Sequence, residues 1–201
     1  MLLSLNEGKE IVELARKIIE SHLKEEEMPE ISEGVKGTME EKKGVFVTLN
    51  KGKELRGCIG RPMPNQKLKE GLEDAAIDAA TGDPRFSPLG LEELGEVTVE
   101  VSVLTTPGKI EVEDPKKYRE EVEIGRDGLI VSYRGRNGLL LPQVPLDRGW
   151  DAEEFLSQTC MKAGATPDCW LDRDVEIQKF SAQVFKEEGP GGEVVEESLS
   201  S

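Results

Sequence analysis

Ile11, Leu14, Ala15, Ile18 and Leu23 recur at steps of three and four residues, with charged positions between them. That spacing predicts an amphipathic helix from Asn6 to about Glu25, with one stripe buried and the rest solvated. His22 falls four residues after Ile18, at the edge of the stripe, and reads as a half-buried helical histidine rather than a base. After Pro29 the period drops to two. Val35 to Met39 is expected as a weak strand, and Val45, Val47 and Leu49 alternate with Phe46 and Thr48 as a second. The turn residues Asn50-Lys51-Gly52-Lys53 then predict that 44–49 and 54–59 pair as a hairpin. Asn65 is positioned to cap a helix whose buried face is Leu68, Leu72, Ala75 or Ala76, and Ala79, ending at Gly82.

Farther on, Val97, Val99, Val101 and Val103 mark one face of a long strand, with Thr98, Glu100 and Ser102 on the other. Asp114-Pro115 starts a short helix through Arg119, and Leu129–Tyr133 pairs with the stretch from Leu139 to Pro142 around the loop Arg134–Gly138. Asp151 with Glu154 opens a helix from Ala152 to Ala163 that stops at Gly164. Val175 and Ile177 hold one parity while Phe180, Ala182 and Val184 hold the other, as a bulge or a strand passing between two packing surfaces would require. Glu187–Ser201, with five acids and no base, is expected to be a disordered acidic tail. The pattern is α+β: a mainly antiparallel sheet of about six strands packed with helices, plus a smaller lobe of short segments, in a single domain over residues 1–186.

Composition narrows the function classes. A length of 201 residues with 36% hydrophobic content supports one good core, or one core with a smaller lobe. A net charge of −15 excludes a general nucleic-acid or anionic-membrane binder, which needs an extensive basic face. No apolar run approaches the roughly 20 residues of a membrane span, and the start lacks the pattern of a signal peptide, so a cytoplasmic protein is expected. Cys58, Cys160 and Cys169 form an odd, widely spaced set, expected as free thiols. With one histidine they assemble no zinc set at usual spacings. Cys160 shares a helical stripe with Leu156 and Ala163 and reads as core. GxGxxG, Walker, HExxH and GxSxG patterns are missing, so the residues name no cofactor.

The candidate chemistry lies at Leu55-Arg56-Gly57-Cys58-Ile59-Gly60. From Lys51 to Lys69 six cations stand against the single acid Glu54, in an otherwise acidic chain. Strand alternation puts Leu55, Gly57 and Ile59 on the core face, and Arg56, Cys58 and Gly60 on the other. Gly57 and Gly60 leave room for a ligand or another backbone, and the start of the next helix adds free amides and a positive dipole end. In one reading Cys58 is a nucleophile or redox thiol, while Arg56 and Arg85 favour its thiolate and orient a small anionic substrate. In the other, Arg56, Arg85 and the glycine-flanked backbone hold a small anion, or the surface docks a protein partner, and Cys58 is a compact filler. Arg134 and Arg136 form a second cationic tip that can bind an anion, although loop arginines are ordinarily just solvated.

The hexapeptide, followed by Asp83-Pro84-Arg85-Phe86, Pro88-Leu89, Leu141-Pro142-Gln143-Val144, Trp150 and Cys160-Met161-Lys162-Ala163-Gly164, resembles the AMMECR domain family, particularly its archaeal members. The likeness runs from about residue 5 to 186. It implies an α+β fold of a large and a small lobe, with the hexapeptide near a cleft between them. It also implies pathway partners of the Memo-like or radical-SAM kind, and it carries no established activity. Where many archaeal relatives read His-Thr-Cys before Lys-Ala-Gly, this chain has Gln158-Thr159-Cys160, which removes the histidine of a Cys–His dyad.

Overall fold

The structure is a computed structural model that describes residues 2–197. Its helices are α1 (Leu5–Lys24), α2 (Lys36–Met39), α3 (Leu68–Ile77), α4 (Tyr118–Glu121), α5 (Gln143–Arg148) and α6 (Ala152–Lys162). Its strands are β1 (Val45–Lys51), β2 (Glu54–Arg61), β3 (Val97–Leu104), β4 (Gly108–Lys109), β5 (Gly128–Tyr133), β6 (Arg136–Leu140), β7 (Glu176–Phe180), β8 (Ala182–Glu187) and β9 (Val194–Glu197). The chain divides into two compact units, Met1–Leu104 with Gln183–Glu197, and Thr105–Ala182. Among the described residues each unit holds its own sheet: five strands in the order β2-β1-β3-β8-β9, and four in the order β4-β7-β5-β6.

In the larger unit α1 forms where the apolar period placed it. Ser4 caps it: the Ser4 hydroxyl accepts from Glu7 N–H at 3.3 Å, and the Glu7 carboxylate accepts from Ser4 N–H at 2.9 Å. The expected strand at residues 35–39 is instead the single turn α2. Val35 and Met39 are buried while Lys36 and Gly37 are exposed, a spacing of four that one helical turn satisfies, closed by Met39 N–H to Val35 C=O at 2.9 Å. Ile11, Ile18 and Ile19 of α1 and Leu68, Leu72 and Ala76 of α3 belong to one buried cluster with Val45, Val47 and Leu49 of β1 and the valines of β3. Each buried isoleucine, leucine or valine among them contributes about 1.5–3 kcal/mol by leaving water.

The main sheet has five strands rather than about six, and the smaller unit expected from the short segments carries a four-stranded sheet of its own. The β5–β6 hairpin is joined by β7, whose Ile177 lies opposite Val131. Leu129, Val131 and Ile177 then bury against Phe155 and Leu156 of α6, and this separate core lets short segments hold a sheet of their own. The parity change near the end is a passage between surfaces: the chain leaves one sheet at Phe180 and enters the other at Ala182.

Two further expectations are corrected. Cys160 and Cys169, expected as free thiols, form a disulfide with Cα atoms 6.0 Å apart, both buried. Gly164 ends α6 in the left-handed region at φ 70° and turns the chain back, so that Ala165 N–H meets Cys160 C=O at 3.0 Å and Cys169 returns to its partner. Sequence spacing tested only for CxxC and zinc patterns and could not see that return.

The tail beyond Lys186 is ordered at least to Glu197, where β9 pairs with β8; residues 198–201 lie outside the described residues. Glu187 is buried because Arg16 grips it through two hydrogen bonds of 2.6 Å, while Val99 N–H and Gly191 N–H reach it at 2.9 and 3.2 Å. An acidic composition suggested a solvated segment, but one acid has a half-buried cation and two amides as partners.

Glu187→Ala should therefore lower stability by about 1–3 kcal/mol, as chemical denaturation would show: Val99 N–H loses its buried acceptor and Arg16 its carboxylate, although Arg16 keeps the Leu94 and Val97 carbonyls at 3.0 and 2.6 Å. A loss near zero would return the segment to a dispensable tail. Thiol titration of unreduced, denatured protein should find one free thiol per chain, Cys58, and three after reduction. Reduction should cost about 2–3 kcal/mol for a loop of this size.

Candidate functional site

Cys58 sits on β2, the outer strand of the five-stranded sheet. The register with β1 slips once: Asn50 lies opposite Leu55 but Leu49 lies opposite Gly57, which makes Arg56 the inserted residue of a bulge. Beyond it Gly57 and Ile59 face with Leu49 and Val47 toward the core, while Cys58 and Gly60 face with Thr48 and Phe46. The bulge overturns the expected placement of Leu55, which is 41% exposed rather than buried. It also takes Arg56 out of simple alternation with Cys58, and the Arg56 guanidinium runs to Glu93, with bonds of 2.9 and 3.0 Å.

An outer strand presents unpaired N–H and C=O groups, and at Cys58 both are met by one loop. Asp83 accepts the Cys58 N–H at 2.9 Å, and Arg85 donates to the Cys58 C=O at 3.1 Å. Arg85 closes the clamp on Asp83 with guanidinium bonds of 2.7 and 2.9 Å and a backbone N–H bond of 3.1 Å. Asp83 is buried, and the Arg85 guanidinium first, then the Cys58 and Arg85 N–H groups, hold its carboxyl well below the usual carboxylate range against the upward push of burial. The Phe86 ring lies beneath both guanidinium groups, 5.9 Å from Arg56 and 5.5 Å from Arg85.

The two glycines serve packing. A Cβ on Gly57 would collide with the Ala79 carbonyl oxygen, because the π-turn Asp78–Gly82 that ends α3 lies directly against the strand. A Cβ on Gly60 would enter the Phe46 ring across the pair. Of the alternatives read from sequence, close approach by another backbone holds at Gly57, and an aromatic ring covers Gly60.

The Cys58 thiol is half-buried and accepts from the Thr48 hydroxyl at 3.2 Å. Burial pushes its pKa up, Glu100 and Asp83 push the same way, and Thr48 and Arg85 oppose them. Glu100 lies opposite Thr48 on β3, so Cys58, Thr48 and Glu100 form a row across three strands. Burial raises the Glu100 carboxyl as well, with Glu197 adding and Lys186 opposing. The sequence reading missed Asp83, Glu93, Thr48 and Glu100 as site residues. Only the opposite parity of Glu100 to the β3 valines pointed at one of them, and its neighbours depend on register.

The basic island is neutralised by acids distant in sequence. Lys51 pairs with Glu96 at 2.6 Å and Glu93 at 3.6 Å, Arg56 with Glu93, and Arg61 with Asp78 at 2.5 Å. Lys67 and Lys69 share Glu40, each at 2.6 Å, and the Lys67 and Lys69 hydrogen bonds lower its pKa to about 2. Of the six cations only Lys53 has no ion pair among the described residues. The amides at the start of α3 are engaged too: Lys67 N–H binds Glu70 at 3.2 Å and Leu68 N–H binds Glu41 C=O at 2.8 Å. Asn65 is not the cap, and the end of α3 that meets the hexapeptide is the C-terminal one. Gln158 lies on α6 and donates to Glu154 at 2.7 Å. Among the described residues no three His, Cys, Asp or Glu side chains are grouped to hold a metal ion, and no helix is long and apolar enough to cross a membrane.

The sequence pattern of the AMMECR1 family matches residues 12–185. The chain belongs to the AMMECR1 family. It is 51% identical over 200 residues to Protein MJ0810 of Methanocaldococcus jannaschii, covering 98% of each chain. It is 53% identical over 205 residues to Protein MK0488 of Methanopyrus kandleri, covering 98% of this chain and 97% of the other. The crystal structure of an uncharacterized protein, PH0010 of Pyrococcus horikoshii, is similar with a TM-score of 0.87 and 47% identity, covering 96% of this chain and 97% of that one. The AMMECR1 match takes in parts of both units, and two of the blocks behind the resemblance, the hexapeptide and Asp83-Pro84-Arg85-Phe86, meet at the Cys58 clamp.

Asp83→Asn should cost about 1–3 kcal/mol, the usual range for losing hydrogen bonds to a charged acceptor that is itself buried. The sign of its pH dependence follows from the depressed carboxyl. The stabilisation is complete above the ordinary aspartate range, near about 3.9, and is lost as pH falls below it. Denaturation midpoints of wild type and variant should converge on acidification, and the Cys58 amide should exchange faster with solvent in the variant at neutral pH.

Proposed function

We propose that this AMMECR1 protein is a binding module whose working surface is the row Cys58, Thr48 and Glu100, acting with an un-ionised thiol rather than as a cysteine nucleophile. The observation that carries the reading is the state of Cys58. Its thiol is pushed upward by burial, and both arginines expected to favour the thiolate already hold carboxylates. The row offers a neutral thiol, a hydroxyl and a carboxyl displaced toward its protonated form, which suits a small polar group of little net charge or a matching patch on a protein partner. Arg56, Gly57, Gly60 and Arg85 then act as the frame of the site, shaping β2 and the clamp. The family resemblance supports partners of the Memo-like or radical-SAM kind, and the composition supports a cytoplasmic setting.

A second reading keeps the enzyme, on one observation: Glu100, raised by burial, lies one strand beyond the hydroxyl that bonds the thiol. Thr48 would then relay a proton between Cys58 and Glu100 as a substrate reacts at sulfur.

The pH profile of Cys58 alkylation by iodoacetamide separates the two. In the binding module the rate should still be climbing at the ordinary thiol pKa of about 8.5. A plateau near neutral pH, abolished by Glu100→Gln, would overturn the binding reading and establish the activated thiol.

A further inference from the structure

Within the smaller unit a cavity of about 360 Å³ is lined by Tyr133, Arg134, Arg136, Gly164, Ala165 and Thr166. We infer that it is an oxyanion site that takes a phosphoryl group, either free inorganic phosphate or the phosphate end of a small molecule. This inference uses residues of the smaller unit alone and is independent of the reading of Cys58.

Charge is the first support. Arg16, Arg56, Arg61 and Arg85 each hold a carboxylate, but neither Arg134 nor Arg136 has an ion pair among the described residues. Two guanidinium groups without a direct ion pair line one cavity in a protein of net charge −15; Asp172 feels Arg134 at longer range, and a phosphate would supply the contacts that neither guanidinium makes with a carboxylate. Guanidinium also supplies paired donors that match phosphate oxygens.

The groups are positioned as well. Tyr133 lies opposite Arg136 in the β5–β6 pair, so Arg134-Gly135 is the two-residue turn, with φ 50° and 79°. Such turns favour Asn or Gly at the first position, and an arginine there holds a left-handed backbone at a cost. Its guanidinium lies over the Tyr133 ring at 4.8 Å, and the Tyr133 hydroxyl donates to Asp172 at 2.8 Å. Asp172 also accepts from Asp174 N–H at 3.2 Å and makes no ion pair with either arginine. Arg136 spends one donor on Gly164 C=O at 3.0 Å, which leaves the others for a ligand. The opposing wall, Gly164-Ala165-Thr166, lies inside the loop closed by the Cys160–Cys169 disulfide and adds the Thr166 hydroxyl. The volume exceeds what one phosphate needs and falls in the range of about 300–1,000 Å³ that holds small organic ligands.

The test is phosphorus NMR and calorimetric titration of the full, oxidised chain with inorganic phosphate, with ribose 5-phosphate and with acetate. Saturable binding of a phosphate probe is expected, at least about tenfold tighter than acetate, the factor that one charge-assisted contact supplies. Arg134→Ala and Arg136→Ala should each weaken it about tenfold or more, and Arg136→Lys should fail to restore it, while thermal midpoints without ligand stay near wild type. Ribose 5-phosphate binding tighter than inorganic phosphate would identify an organic phosphate as the ligand class, and equal affinities would identify free phosphate. Absence of saturable binding, acetate binding as tightly as phosphate, or affinities unchanged in both alanine variants would overturn the proposal.

Discussion

The Asp83–Arg85 clamp on the Cys58 peptide is the constraint on which the site depends. An outer strand would leave that N–H and C=O to solvent or to another chain, and here one loop satisfies both. Because those groups point away from β1, the Thr48–Cys58 pair is of the non-hydrogen-bonded kind, in which side chains approach most closely. That is why the Thr48 hydroxyl reaches the thiol. The loop is held in turn by the π-turn before it and by Leu89 N–H bonding Ala80 C=O at 2.8 Å.

The same arrangement decides the electrostatics. Arg85 is drawn onto Asp83 and Arg56 onto Glu93, so the cations beside the thiol arrive neutralised. Burial then governs the thiol and raises its pKa. Arg134, on a two-residue turn in the other unit, and Arg136, at the start of β6, make no ion pair among the described residues and line a cavity instead. In this acidic protein, local excess of positive charge along the chain is a poor guide to where positive charge remains available in space.

Each unit closes its own core around its own sheet, and each has a tie that composition does not announce, long-range in the larger unit and nine residues apart in the smaller. In the larger unit Glu187 joins α1, β3 and the β8–β9 turn through Arg16, Val99 and Gly191. In the smaller unit the disulfide fastens the end of α6 to the turn beginning at Cys169.

Periodicity with turn residues determined α1, the β1–β2 hairpin, β3 and the existence of the β5–β6 hairpin, whose turn is Arg134-Gly135 rather than the expected loop Arg134–Gly138, and periodicity separated Cys58 from the core-facing Gly57 and Ile59. The mixed α+β class was legible from the same pattern, and the hexapeptide with its downstream blocks was legible as a family signature. These are properties of neighbouring residues, since the side-chain repeat of a helix or strand is set by local backbone geometry. Tertiary structure alone decided that Val35 and Met39 bury on a helical turn, that Arg56 is a bulge, that Ala79 and Phe46 cover the two glycines, and that Glu187 is buried. It also decided which carboxylate each arginine holds and that Cys160 meets Cys169. Some of these partners are far apart in the chain, as Arg16 and Glu187 are, and others only a few residues apart, as Asp83 and Arg85 or Cys160 and Cys169 are, but register, burial and charge pairing come into being only when the segments pack in three dimensions.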